Sequence, residues 1–340
     1  MVFDMNKNAS LRSGLPDPLK RNALSIRDLR VEFPKAMGAP SVAINSLDID
    51  IAPGCILGLV GESGAGKTTL ARSILNHPPA PGRITNGKIW FDGVDLRQLS
   101  EGEQQRKRGR DLSIVVPNPR GELNPLIPVG EQIATRARVH LKLDKRAARA
   151  KALDMLRKVQ IPDPERRMNA YAHELSGGMA QRVVIAMALV CSPHFVISDD
   201  ATSGLDVTVQ AQILKTMRQL SQEQDSAMLF ITRDIGITAH FCDRVAVMYA
   251  GEVLEVASRN ALFLRPRHPY TIMLMAAFSH NAKLRNDWHR SASGGADRKS
   301  GCCYADRCPM AQQKCREQAP ALADLADGHS VRCHFPVERV

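Results

Sequence analysis

Long apolar runs are missing from this 340-residue chain, and aromatics are scarce, with Phe, Trp and Tyr together making up 4% of it. The stretch around Ile272 to Phe278 is among the most apolar, and it falls far short of the roughly 18 to 20 residues that a bilayer-crossing helix needs, so the chain is not expected to span a membrane. The opening MVFDMNKNASLRSG has no apolar core of the kind a secretory signal carries. The expected compartment is therefore the cytosol, where thiols stay reduced, and the eight cysteines are not read as disulfides. Scattered basic residues without an aromatic platform also argue against a nucleic-acid partner, although the net charge is +11. Such a basic surface suits anionic lipid headgroups equally well.

What is present is an ordinary globular composition, 44% hydrophobic, enough for one sizeable core or two modest ones. Residues 1–21 read as a loose polar tail. The alternating LSIRDLRVEF and VAINSLDIDI then predict two strands, the second ended by Pro53 and Gly54. In CILGLVGESGAGKTTLARSIL an apolar strand runs into a glycine loop and then into a helix. Within it, Gly61, Glu62, Ser63, Gly64, Ala65, Gly66, Lys67 and Thr68 satisfy the P-loop pattern, with Thr69 following. The glycines let backbone amides curl toward a polyphosphate, Lys67 brings charge to the outer phosphates, and the Thr68 hydroxyl suits Mg2+.

A second apolar strand, HFVISD, ends at Asp199, a position that suits a carboxylate holding Mg2+ through water, and Asp200 follows it. Between these segments, Ser176, Gly177 and Gly178 precede a long apolar helix. On composition alone that turn is an ordinary helix cap; its free amides and positive dipole end also fit a second phosphate cradle, one that faces the nucleotide of a partner chain.

Taken together, GESGAGKT, LSGGMAQR, FVISDD and SGLD closely resemble the ATP-binding cassette family in order and spacing, over about residues 22–280. The resemblance implies an α/β fold: a RecA-like P-loop NTPase core, an antiparallel β portion on its N-terminal side, and a helical subdomain at about 120–190 carrying the signature. It also implies ATP and Mg2+ as cofactors and head-to-tail pairing with a second ATPase chain, Asp206 lying across the interface. Phe33, upstream of the P-loop, would stack on adenine or belong to the core. LNPLIPVGEQIA at 123–134, RHPYT at 267–271 and the cysteine-containing tail are similar to the ATPase subunits of bacterial oligopeptide and dipeptide importers. Such subunits sit peripherally on the cytoplasmic face of the bacterial inner membrane, drive two transmembrane permease subunits, and are served by an extracytoplasmic substrate-binding protein.

Three positions depart from the family pattern. Asp200 stands where a Glu normally polarises the attacking water, Pro117 where a Gln contacts Mg2+ and senses the permease, and Arg233 where a His acts as the switch. A carboxylate one methylene shorter has less reach, proline has no amide group, and a guanidinium lacks the proton exchange of an imidazole. These departures predict a chain that binds ATP but hydrolyses it weakly, and whose intact signature completes the site of a different partner.

Residues 281–300 read as a solvated linker and 301–340 as a Cys-rich extension. Asn281 to Arg316 holds eight basic residues, Arg307 among them, against three acids. Cys302, Cys308, Cys315 and Cys333 are separated by five, six and seventeen residues. Four thiolates suit a four-iron cluster or tetrahedral Zn2+. The resemblance to peptide-importer tails favours a [4Fe-4S] cluster and prefers Cys302 over Cys303. Chromosome-maintenance ATPases need long coiled coils and tandem-cassette translation factors need two P-loops, and the sequence carries neither. A cassette serving as a scaffold in a metabolic enzyme complex is the remaining alternative.

Overall fold

The computed structural model describes residues 22–278, 300–325 and 328–338. The tail expected at 1–21 and nearly all of the linker expected at 281–300 lie outside the described residues.

The two strands expected from alternation are β1 (Leu24–Phe33) and β2 (Ser41–Ile51), which pair antiparallel, Leu24 opposite Ile51. With β4 (Arg83–Phe91) and β5 (Val94–Asp95) they form a four-stranded sheet in the order β2-β1-β4-β5. One face of this sheet packs Leu24, Ile26, Leu29 and Val31 into an apolar core that also takes in Leu57 and Leu59 of β3 (Ile56–Val60) and Leu70 and Ile74 of α1 (Lys67–Ile74).

The larger sheet is built on buried parallel strands. β3, β6 (Leu112–Val115), β7 (Phe195–Asp199) and β8 (Ala227–Thr232) are short apolar runs covered on both faces, as parallel strands require. β9 (Arg244–Tyr249) joins them in parallel and turns through Ala250 and Gly251, both at positive φ, into antiparallel β10 (Glu252–Ser258). β3 lies between β8 and β9, so the loop after it opens at the carboxyl edge of the parallel sheet, where phosphate ligands bind in such folds.

Helices α2 (Glu101–Lys107), α3 (Pro119–Glu122), α4 (Val129–Leu141), α5 (Lys145–Lys158), α6 (Pro164–Arg167) and α7 (Gly177–Leu189) follow one another with only β6 between α2 and α3. α4 and α5 form a hairpin against α7, whose apolar residues are buried nearly all round. α8 (Val207–Glu223), α9 (Ile235–Phe241), α10 (Arg259–Leu264) and α11 (Pro269–Phe278) cover the second face of the large sheet.

The Cys-rich extension packs onto this body. Its helix α12 (Gln313–Glu317) is followed by β11 (Ala323–Asp324) and β12 (Ser330–Val331), and β12 adds to the edge of β10, Val331 opposite Glu255. Glu255 is fully buried and accepts hydrogen bonds from the Arg267 and His268 amides at 2.7 and 2.9 Å and from His329 Nε2 at 2.7 Å. Tyr304, Ala305, Cys302 and Cys315 enter the same apolar core as α7 and α9.

Candidate nucleotide-binding site

The loop from Gly61 to Gly66 is held in one shape by close approaches. A Cβ at Gly61 would lie 2.1 Å from the Met248 carbonyl oxygen, and one at Gly66, where φ is +102°, would lie 2.6 Å from the Ala43 carbonyl oxygen. Only glycine fits either position. Gly66 then caps α1 without a side chain, leaving the helix amides free to face an anion.

Lys67 is buried, and its Nζ donates to the carbonyls of Gly61 at 2.7 Å and Glu62 at 2.9 Å. Burial pulls the Lys67 pKa down, while Asp200, Asp199 and Glu62 pull it up. Thr68 Oγ1 donates to Asp199 Oδ1 at 3.3 Å, which joins the P-loop hydroxyl to the carboxylate at the end of β7. Burial raises the Asp199 pKa above the usual carboxylate value, opposed by the Thr68 hydrogen bond. A hydroxyl and a buried carboxylate at this separation form one edge of a hard-cation site, the donor set that Mg2+ takes beside phosphate oxygens.

Asp200 follows at φ +49°, its amide donating to Ile231 O at 2.9 Å. Arg233, after β8, turns back over it: Nε and Nη2 both donate to Asp200 Oδ2, at 3.2 and 3.0 Å. The cleft of about 410 Å3 is lined by Ser63, Gly64, Lys67, Thr68, Thr69, Pro117, Asp199, Asp200 and Arg233, among others. All three departures from the family pattern therefore face the same space as the P-loop.

Two family models match the chain, one described as ABC transporter at residues 44–203 and one as oligopeptide/dipeptide transporter, C-terminal region, at residues 254–315. The dipeptide transport ATP-binding protein DppD of Escherichia coli is 40% identical over 321 residues, covering 93% of this chain and 97% of that protein. A probable peptide ABC transporter ATP-binding protein of Sinorhizobium fredii is 42% identical over 317 residues, covering 91% and 94%. This chain belongs to the ABC transporter ATP-binding family. Among solved structures, the dimeric ATP-binding cassette MJ0796 bound to ADP and Pi shares the fold at a TM-score of 0.62 and 23% identity, over 69% of this chain and 98% of that one. A second, cbiO1 from Clostridium perfringens, part of the ABC transporter complex cbiONQ, has a TM-score of 0.61 at 25% identity, over 72% and 91%. The reading of this ABC ATPase as a metabolic scaffold finds no support in these relatives.

The remaining expected residues are placed as follows. Ser176 caps α7, its Oγ accepting from the Met179 amide at 3.3 Å, and Ser176 and Gly177 are exposed while a Cβ at Gly178 would meet Val209 at 2.9 Å. The turn is thus both a helix cap and an open backbone surface. Asp206 caps α8, accepting from the Val209 amide at 2.9 Å, and is exposed. Phe33 is half-buried with its ring against Gly82, and it is not among the residues lining the cleft.

Cys302, Cys308, Cys315 and Cys333 all line one pocket with His268 and Tyr304, although among the described residues no group of three or more Cys, His, Asp or Glu already stands in an arrangement that would hold a metal ion. Burial pushes the Cys308 and Cys333 thiols up to about 11, so ligation by either would have to release its proton. The donor set, four thiols around one pocket, fits a thiolate-held metal group.

Sequence reasoning missed Arg307. It reads as one basic residue of a solvated stretch, yet its guanidinium forks onto Glu62 of the P-loop, 245 positions away. No local signal in the sequence marks that contact.

Proposed function

We propose that this chain is the ATP-binding subunit of a bacterial importer for peptides or related small solutes, and that its own nucleotide site hydrolyses ATP weakly. It pairs with a different ATPase chain whose site its Ser176–Gly178 turn completes. The pair sits on the cytoplasmic face of the inner membrane against two permease subunits, with a substrate-binding protein outside. Similarity along nearly the whole length to proteins named for dipeptide and peptide transport supports the cargo class.

One observation carries the asymmetric reading: both Nε and Nη2 of Arg233 engage Asp200 Oδ2. A carboxylate at the base position must reach an attacking water and accept its proton; here it is turned toward a guanidinium instead. Pro117, on the wall of the same cleft, offers no side-chain amide to orient that water. The Lys67 bond to its own loop and the Thr68–Asp199 hydrogen bond support Mg-ATP binding at the same site, and in this reading binding and turnover come apart there.

In the same reading Cys302, Cys308, Cys315 and Cys333 would hold a [4Fe-4S] cluster, with Zn2+ as the alternative; either would cross-link the extension. Elemental analysis of chain purified without oxygen separates iron from zinc, and a metal-free chain overturns both.

The test of the asymmetric reading is ATP turnover by the co-purified complex. Ser176→Arg is expected to abolish it, while Lys67→Ala leaves most of it. Loss of half or more with Lys67→Ala would mean that the Asp200 site is catalytic.

A further inference from the structure

The Cys-rich extension reaches the P-loop through Arg307. Arg307 Nη1 donates to Glu62 Oε2 at 2.8 Å and Nη2 donates to Oε1 at 2.9 Å, a two-pronged contact that matches guanidinium to carboxylate. The same guanidinium lies over the rings of Tyr249 and Tyr304, 5.6 and 5.9 Å from their centroids. Those rings pack on Tyr270 at centroid distances of 4.7 and 5.2 Å and on each other at 5.3 Å. The hydroxyl of Tyr270 accepts from the Glu62 amide at 3.0 Å.

Glu62 is thus held at three groups. Its carbonyl accepts from Lys67, its amide is tied to α11, and its carboxylate is tied to the extension. It is also the only acid in GESGAGKT, and its charge acts on Lys67. Left unpaired, that carboxylate would compete with the phosphates of ATP for Lys67 and repel them.

We infer that Arg307 is a positioning residue for the nucleotide site: it draws the Glu62 carboxylate away from Lys67 and fixes the first turn of the P-loop, so that the Cys-rich extension sets the affinity for ATP. The inference rests on the reading that Gly61 to Thr68 binds Mg-ATP. Lysine in place of Arg307 would keep the charge without the fork or the flat stacking surface on Tyr249 and Tyr304.

The test measures binding of Mg-ATP to the full chain by displacement of a fluorescent analogue at fixed ionic strength, with the thermal midpoint of each nucleotide-free variant recorded alongside. Arg307→Gln is expected to weaken binding by about three- to tenfold, and Arg307→Lys by less. In the background of Glu62→Gln, whose own affinity serves as the reference, the effect of Arg307→Gln is expected to shrink to within about twofold. That shrinkage separates the two roles, since a folding defect from lost packing on the tyrosines would persist when Glu62 is neutralised. Wild-type affinity in Arg307→Gln, or an Arg307→Gln effect that is undiminished when Glu62 is already Gln, overturns the inference. Failure of the wild type to bind, or binding that Lys67→Ala leaves intact, overturns the site reading itself and this inference with it.

Discussion

Asp200 and Arg233 meet because β7 and β8 are neighbouring parallel strands whose ends bring the two side chains to the same edge. The pair is only partly shielded, Arg233 being 61% exposed, so its own contribution to stability is small; what matters is where it holds the carboxylate. Lengthening the acid alone leaves the guanidinium in place, so Asp200→Glu is expected to change turnover at this site little. Combining Asp200→Glu with Arg233→His and Pro117→Gln is expected to raise it by about tenfold or more, since a positioned base contributes at least that much. The readout is single-site hydrolysis in a complex whose other ATPase site is disabled. No gain from the triple variant would mean that the pairing is not what restrains hydrolysis.

At the scale of elements, the P-loop was legible from sequence because its signal is local: its glycines, Lys67 and Thr68 fall within the single run GESGAGKT, and Lys67 folds back onto its own loop. β3 and β7 were equally legible as apolar runs too short for helices. The ends of β7 and β8 were not, because which residues face each other there depends on strand order, and periodicity carries no strand order. Arg307 was illegible for the same reason at longer range. Phe33 was ambiguous in sequence, and the structure sets its ring on Gly82.

The α4–α5 hairpin carries a pH dependence of its own. His140, in the last turn of α4, has its pKa lowered by burial and then by Arg136 and Arg110. A histidine held below its unfolded value near 6.5 takes up a proton in the unfolded chain before it does so in the folded one. Stability is therefore expected to fall as pH drops below about 6.5 and to level off beneath the lowered folded value. His140→Gln should flatten that part of the profile in urea titrations run between pH 5 and 7. An unchanged slope would assign the effect to other groups.

The molecule as a whole is tied together at Glu255, where β10, the start of α11 and the extension meet. Glu255→Ala would leave two buried backbone amides and His329 without their acceptor, at a cost of about 3 kcal/mol. Urea unfolding checks this, and a loss below about 1 kcal/mol would mean that β12 is not anchored there. The sheet itself runs on from the nucleotide-binding strands into the extension, in the order β11-β12-β10-β9-β3-β8-β7-β6. Chains are made from the N-terminus, and early segments begin to fold while later ones are still in the ribosome. Glu62 emerges early, but the partner of its carboxylate is Arg307, and the strand that covers β10 comes later still. A product released by premature termination upstream of Arg307 would carry every P-loop residue and still lack the finished phosphate cradle, so full length is checked at the ATP site itself.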